Sequence, residues 1–233
     1  MKPRPLVIAH RGASGLELEN SLAAFRAAGP QGADAVELDV HGTADGELIV
    51  HHDERIDGTH QIAHSNASAI ARLRLANGEP IPTLSQALAA VAPPLQVFVE
   101  VKSLAPRWDA RLFDVLDRGP NPRGYAVHSF DHRIVRRLGE KRPTLPRGVL
   151  ASAYMIRPLS AMEDVGASIL WQERTVVDEA LVRTVHGSAG ARIFVWTVDD
   201  VADMARFVAW GADGLCTNYP ARGRQAVDAP RAA

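Results

Sequence analysis

The chain alternates short apolar runs with longer amphipathic segments. Eight runs read as strands buried on both faces: residues 6–9, 35–40, 96–101, 125–127, 148–150, 167–170, 193–198 and 214–217. The run at 193–198, IFVWTV, is rich in β-branched and aromatic residues. Between the runs lie helical patterns. ENSLAAFRAAG has a cap at Asn20 or Ser21 and Gly29 as a stop, and TLSQALAAVAPP starts at Thr83 or Ser85 and ends before Pro93. WDARLFDVLDRG, DHRIVRRLGEK, VDEALVRTVHGSAG and VDDVADMARFVAWG follow the same scheme. Strands alternating with helices predict a parallel α/β sheet, and eight of them predict a (β/α)₈ barrel. The rhythm breaks once. ADGE is a turn signal, which makes 48–51 an extra extended piece, and the chain from 56 to 81 is polar and weakly periodic. Residues 1–233 are therefore expected to form a single domain, with about 41–82 as a short cap between the second and third strands, over the C-terminal mouth.

The composition is that of a soluble globular protein, with 46% hydrophobic and 23% charged residues among 233. A formal net charge of -1 gives no basic field for nucleic acid, so an anionic partner must be held by local groups. The lone cysteine, Cys216, excludes a disulfide within the chain and fits a reducing compartment; its apolar context reads as a small buried hydrophobe. The N-terminal stretch MKPRPLVIAHRG lacks the apolar core of a signal peptide, no run is long enough to span a membrane, and a cytoplasmic protein is expected. AVDAPRAA at the C-terminus reads as a frayed tail.

Charge appears where buried strands should exclude it. His10 and Arg11 end the first strand, Glu37 and Asp39 lie in the second, and Glu100 and Lys102 end the third. Side chains two apart share a face, and strand ends in a barrel meet over one mouth, so these groups are expected to converge. Three carboxylates brought together call for a cation, and their hard oxygen atoms suit Mg²⁺ or Ca²⁺ better than Zn²⁺. Arg11 and Lys102 suit a phosphate beside it. His52, in VHHD, adds a second imidazole to His10, and one base with one acid is what displacement at a phosphoester requires. Taken singly, each item also fits a structural ion pair or a solvated loop.

AHRGASGLELENSLAAFRAAGPQGADAVELDVHGTADGELIVHHDERIDGT resembles the N-terminal half of glycerophosphodiester phosphodiesterases, through HRG, E-N-[ST], E-x-D, T-x-D-G and HD in that order. The similarity continues through IPTLSQAL, FVEVK, VHSFDHRIVRRL and VWTVDDVADMARFVAWGADGLCTNYP. The resemblance implies a (β/α)₈ barrel and metal-dependent hydrolysis of a small glycerophosphodiester to sn-glycerol 3-phosphate and an alcohol. It implies His10 and His52 as the acid/base pair, Glu37, Asp39 and Glu100 as ligands of one Mg²⁺ or Ca²⁺, and Arg11 and Lys102 facing phosphate. Trp196 would line the substrate pocket; its competing reading is barrel core. The sequence departs from the family pattern at Leu18, where proline is usual, and at Asn218, where aspartate is favoured. His128, before SFD, faces either the mouth or the packing around it. The compressed insertion implies an open mouth. Lysophospholipase D-type hydrolysis of lysophospholipids is the nearest rival. A non-catalytic phosphodiester-binding barrel is a rival of another class, and it predicts loss of at least one of His10, His52, Glu37, Asp39 and Glu100.

Overall fold

A computed structural model describes residues 3–229. Eleven strands and nine α-helices follow in order: β1 (Leu6–Ala9), α1 (Leu22–Ala28), β2 (Ala35–Gly42), β3 (Leu48–Val50), β4 (Arg55–Ile56), β5 (His60–Gln61), α2 (Ala67–Ile70), α3 (Leu84–Ala90), β6 (Gln96–Ser103), α4 (Asp109–Arg118), β7 (Tyr125–Ser129), α5 (His132–Lys141), β8 (Arg147–Ala151), α6 (Pro158–Glu163), β9 (Ile169–Glu173), α7 (Glu179–His186), β10 (Arg192–Trp196), α8 (Val201–Trp210), β11 (Gly214–Thr217) and α9 (Pro220–Asp228). Eight parallel strands run β1-β11-β10-β9-β8-β7-β6-β2, and β1 pairs with β2 to close the (β/α)₈ barrel. No helix of the described residues is long and apolar enough to cross a membrane.

Alternation builds two cores. On β2, Val36, Leu38 and Val40 turn outward into an apolar layer with Phe25 of α1 and Leu84 and Leu88 of α3. The opposite face looks into the barrel, where Ile8, Ala35, Phe98, Leu150, Trp171, Phe194 and Cys216 form an apolar floor. Phe98, Trp171 and Phe194 meet edge to face, with centroids 5.0–5.3 Å apart. Gly148 makes room for this cluster, since a Cβ there would stand 2.8 Å from the Trp171 ring.

The sixth barrel strand runs Ile169–Glu173, later than the 167–170 run suggested. Ala167 closes the turn after α6 by donating to Met162 O, and the polar Gln172 belongs to the strand, donating its amide to the Ala151 and Ala153 carbonyls. The expected tail is corrected in part: residues 226–228 are the last turn of α9, and Ala226 and Val227 pack on the outer core. Residues 230–233 lie outside the described residues, as do the first two of the N-terminal stretch.

Between β2 and β6 the chain leaves the barrel order. β3 pairs antiparallel with the C-terminal end of β2, through Val40–Val50 and His41–Ile49. Ile49, Ile56, Ile62, Ile70 and Ile81 give the excursion an apolar cluster of its own.

Candidate active site

The first strand surfaces through a strained turn. Arg11 has φ +55° and Gly12 φ +83°, and a Cβ at Gly12 would lie 2.6 Å from the Ala24 carbonyl carbon. The turn lays HRG against α1, and the ENS segment then divides its work. Glu19 accepts two hydrogen bonds from the Arg11 guanidinium at 2.8 and 2.9 Å, Asn20 donates to Asp39 Oδ2 at 2.8 Å, and Ser21 caps α1 by accepting from Ala24 N.

Above the apolar floor sits a layer of ionisable groups. Glu37, Asp39, Glu100 and His128 are 3%, 1%, 6% and 2% exposed. Lateral register aligns Asp39 with Glu100 and Glu100 with His128 on neighbouring strands. The β2–β6 register slips after Val40, leaving Lys102 as an extra residue whose Nζ reaches Glu100 Oε1 at 2.8 Å and Asp39 Oδ1 at 3.2 Å. Asp39 Oδ2 lies 3.2 Å from Arg11 Nε. That nitrogen is buried and lacks an aligned hydrogen bond among the described residues, so the contact is one of charge.

The carboxylates differ sharply. Burial, with the charges of Asp39 and Glu100, pushes Glu37 well above the ordinary carboxylate range. Burial, with Asp39 beside it, pushes Glu100 up to about 7 against the pull of Lys102. Burial also opposes the charge on Asp39, yet Lys102, Arg11 and Asn20 outweigh it and hold its carboxyl low. Burial pushes His128 down to about 3, so its ring is neutral. The ring stacks on Trp171 at 4.3 Å, and among the described residues its buried Nδ1 has no partner.

The sequence-predicted residues come together. His10, Arg11, Glu37, His52, Glu100, Lys102 and Trp196 line one cavity of about 60 Å³, with His128, Phe130 and Cys216 also on its wall. Trp196 meets Phe130 edge to face at 5.6 Å. Asp39 stands beside this cavity with both oxygens engaged. Ligand atoms of Glu37, Glu100 and His128 lie within 4.8 Å of one another. Two buried carboxylates that repel each other and a neutral imidazole form a donor set that could hold a divalent cation. Cys216 is free and buried, and burial, with Glu37 beside it, pushes its thiol well up.

His52 is brought in by the excursion. His51 N donates to Asp39 O at 3.1 Å, and His41 Nε2 donates to His52 O at 3.2 Å. His52 Nδ1 lies 2.8 Å from Asp53 Oδ1. Sequence reasoning missed His41 and Asp199 and left His128 and Asn218 open. His128 carried a signal, a titratable group at the end of an apolar strand; the partners of His41 and Asp199 had none.

The sequence matches the Glycerophosphoryl diester phosphodiesterase family over residues 10–222. It is 32% identical to a glycerophosphodiester phosphodiesterase of Caldanaerobacter subterraneus subsp. tengcongensis, over 93% of this chain and 95% of that protein. The structure is similar to that of a phosphodiesterase of Oleispira antarctica in complex with the product sn-glycerol-3-phosphate, with TM-score 0.88, 24% identity, and 97% and 98% of the two chains covered. It is also similar to a glycerophosphodiester phosphodiesterase from Parabacteroides distasonis, with TM-score 0.86, 26% identity and the same coverage. The chain belongs to the glycerophosphoryl diester phosphodiesterase family, and so to the phosphoric diester hydrolases.

Proposed function

We propose that the protein hydrolyses small glycerophosphodiesters to sn-glycerol 3-phosphate and an alcohol, using His10 and His52 as the proton-transfer pair. The observation that carries this reading is the convergence of both histidines, buried carboxylates and two cations on one cavity above an apolar floor. Glu37 and Glu100 are the core of a site for one divalent cation, Mg²⁺ or Ca²⁺. Asp39 is the third carboxylate by family resemblance, and His128 faces the same space. When bound, the cation polarises the phosphoryl group and lowers the pKa of an attacking hydroxyl. Arg11 and Lys102 stand where charge develops on the phosphoryl oxygens, and neutralising it there lowers the barrier. Trp196 and Phe130 form an apolar rim that excludes water from the reacting phosphorus. The lone buried cysteine favours a reducing, cytoplasmic setting.

The test is an assay of glycerophosphocholine hydrolysis, scored by release of glycerol 3-phosphate. EDTA should abolish it and Mg²⁺ or Ca²⁺ should restore it, whereas activity surviving thorough chelation overturns the metal assignment. A second reading, hydrolysis of lysophospholipids, draws on a larger cleft of about 400 Å³ that shares His52 and is walled by Leu18, Ile56, Leu75 and Ile81. Lysophosphatidylcholine as the faster substrate would favour it.

A further inference from the structure

The two histidines that line the cavity are held in different ways. The His10 ring is braced from the barrel: Asn218 Oδ1 stands 2.8 Å from its Nδ1, and Asn218 Nδ2 donates in turn to Asp199 Oδ2 at 2.6 Å. The His52 ring meets Asp53, its neighbour on the same segment, so that bond does not tie it to the wall. The backbone ties it instead. The β2–β3 ladder ends at Val50. Beyond it, His51 N donates to Asp39 O at 3.1 Å, and His41 Nε2 lies 3.2 Å from His52 O. A carbonyl has no proton to give, so the proton in that contact sits on His41 Nε2. In the neutral ring Nδ1 then accepts, and the Ser103 hydroxyl stands 2.9 Å from it.

Three elements meet at His41. It follows Glu37 and Asp39 on one face of β2, and it is 4% exposed. Ser103 comes beside it because the β2–β6 register slips after Val40, pairing His41 with Ser103 where an unbroken ladder would set Lys102. His41 does not line the cavity, whereas His52 lines both the cavity and the larger cleft beside it.

We propose that His41 is a positioning residue: held by Ser103, it fixes the His52 carbonyl to β2 and so sets where the His52 ring enters the cavity. The role rests on the phosphodiesterase reading above. The carbonyl and the ring of His52 hang from one Cα, so a shift of the first swings the second. A buried donor is costly to leave unpaired, which keeps the contact closed. A group that transfers a proton must lie within hydrogen-bond reach of the reacting oxygen, and a displacement of about 1 Å can cost about 100-fold.

The first test is glycerophosphocholine hydrolysis by two variants. His41→Leu removes the donor, and His41→Gln keeps an amide N–H that can reach the same carbonyl. In His41→Leu kcat should fall about 10- to 100-fold with KM within about 2-fold, and in His41→Gln kcat should stay within about 5-fold of wild type. Equal losses in the two variants, or an intact kcat in His41→Leu, overturn the proposal. A double-mutant cycle separates positioning from general weakening. In the His52→Ala background, His41→Leu should cost less than about 2-fold of the residual rate. A further loss as large as in the wild-type background overturns the proposal. The last readout needs no turnover. Amide hydrogen exchange over residues 51–54 should quicken about 10-fold or more in His41→Leu and not in His41→Gln. That pattern in a wild type inactive on glycerophosphodiesters sinks the phosphodiesterase reading, and unchanged exchange in an active enzyme sinks only the role of His41.

Discussion

His128 is buried, neutral and stacked on Trp171, and this has a measurable cost. Burial puts its folded pKa near 3, far below the ordinary value of 6.5. Between those limits the unfolded chain binds the extra proton and the folded chain does not, so stability of the metal-free protein rises with pH across that window. His128→Phe should flatten this rise by up to one proton, about 1.4 kcal/mol per pH unit, in urea denaturation with EDTA present. An unchanged slope would show that the ring is not buried neutral. Gly12 makes a sharper prediction. With φ +83° and no space for a Cβ, Gly12→Ala should cost about 1–3 kcal/mol and displace the neighbouring His10 and Arg11. Retained stability and activity would mean that the turn after β1 relaxes. At this scale the sequence was legible where charge interrupts an apolar run: His10, Glu37, Glu100 and Lys102 all announce themselves that way. Asn218 with His10 was not legible, because the contact joins residues 208 positions apart. Spacing tells which face a residue takes on its own strand and nothing of its partner across the barrel.

At the scale of elements, the helices with a clear apolar stripe and a cap were readable, and the short or proline-started ones were not. α3 begins with a reciprocal capping box between Thr83 and Gln86, a signature written in four consecutive residues. α6 and α9 both start with proline, α6 has six residues, and α9 carries Gly223 in its middle, so neither offers a long periodic stripe. Gly223 is small because it lies against β1, where a Cβ would come 3.0 Å from the Val7 side chain. The joint between α4 and α5 is ionic: Asp109, fully buried, accepts from Arg137 Nε at 2.9 Å and from Lys141 Nζ at 2.7 Å. Removing the carboxylate leaves two cations without their partner. Asp109→Ala should therefore destabilise the protein by about 3 kcal/mol, read from the denaturation midpoint, while kcat is kept. A loss below about 0.5 kcal/mol would place this group among ordinary surface pairs.

Across the whole molecule, two outer apolar layers flank one inner floor. Phe98 on β6 touches Trp171 on β9 and Phe194 on β10, so it links the two halves of the barrel from inside. Phe98→Ala should cost about 3–5 kcal/mol and impair turnover as well, because the floor it empties supports Glu100 and His128. Destabilisation with intact kcat would show that the ionisable layer is held from above rather than from below.

The antiparallel strand β3 has a consequence for how such a molecule can change. β1 pairs with β2 only through Ile8–Ala35 and Ala9–Val36, and β3 takes over with Val40, His41 and Gly42 at the other end of β2. His52 thus rides on a segment docked against the barrel, while His10 and the carboxylates belong to the wall itself. The outer wall of the neighbouring cleft belongs to that same segment, through Ile56, Leu75 and Ile81. Its residues can be exchanged or lengthened without shifting any strand that carries a carboxylate. The cleft wall is mounted apart from the strands that carry Glu37, Asp39 and Glu100, so a descendant can reshape that wall while the carboxylates keep their places.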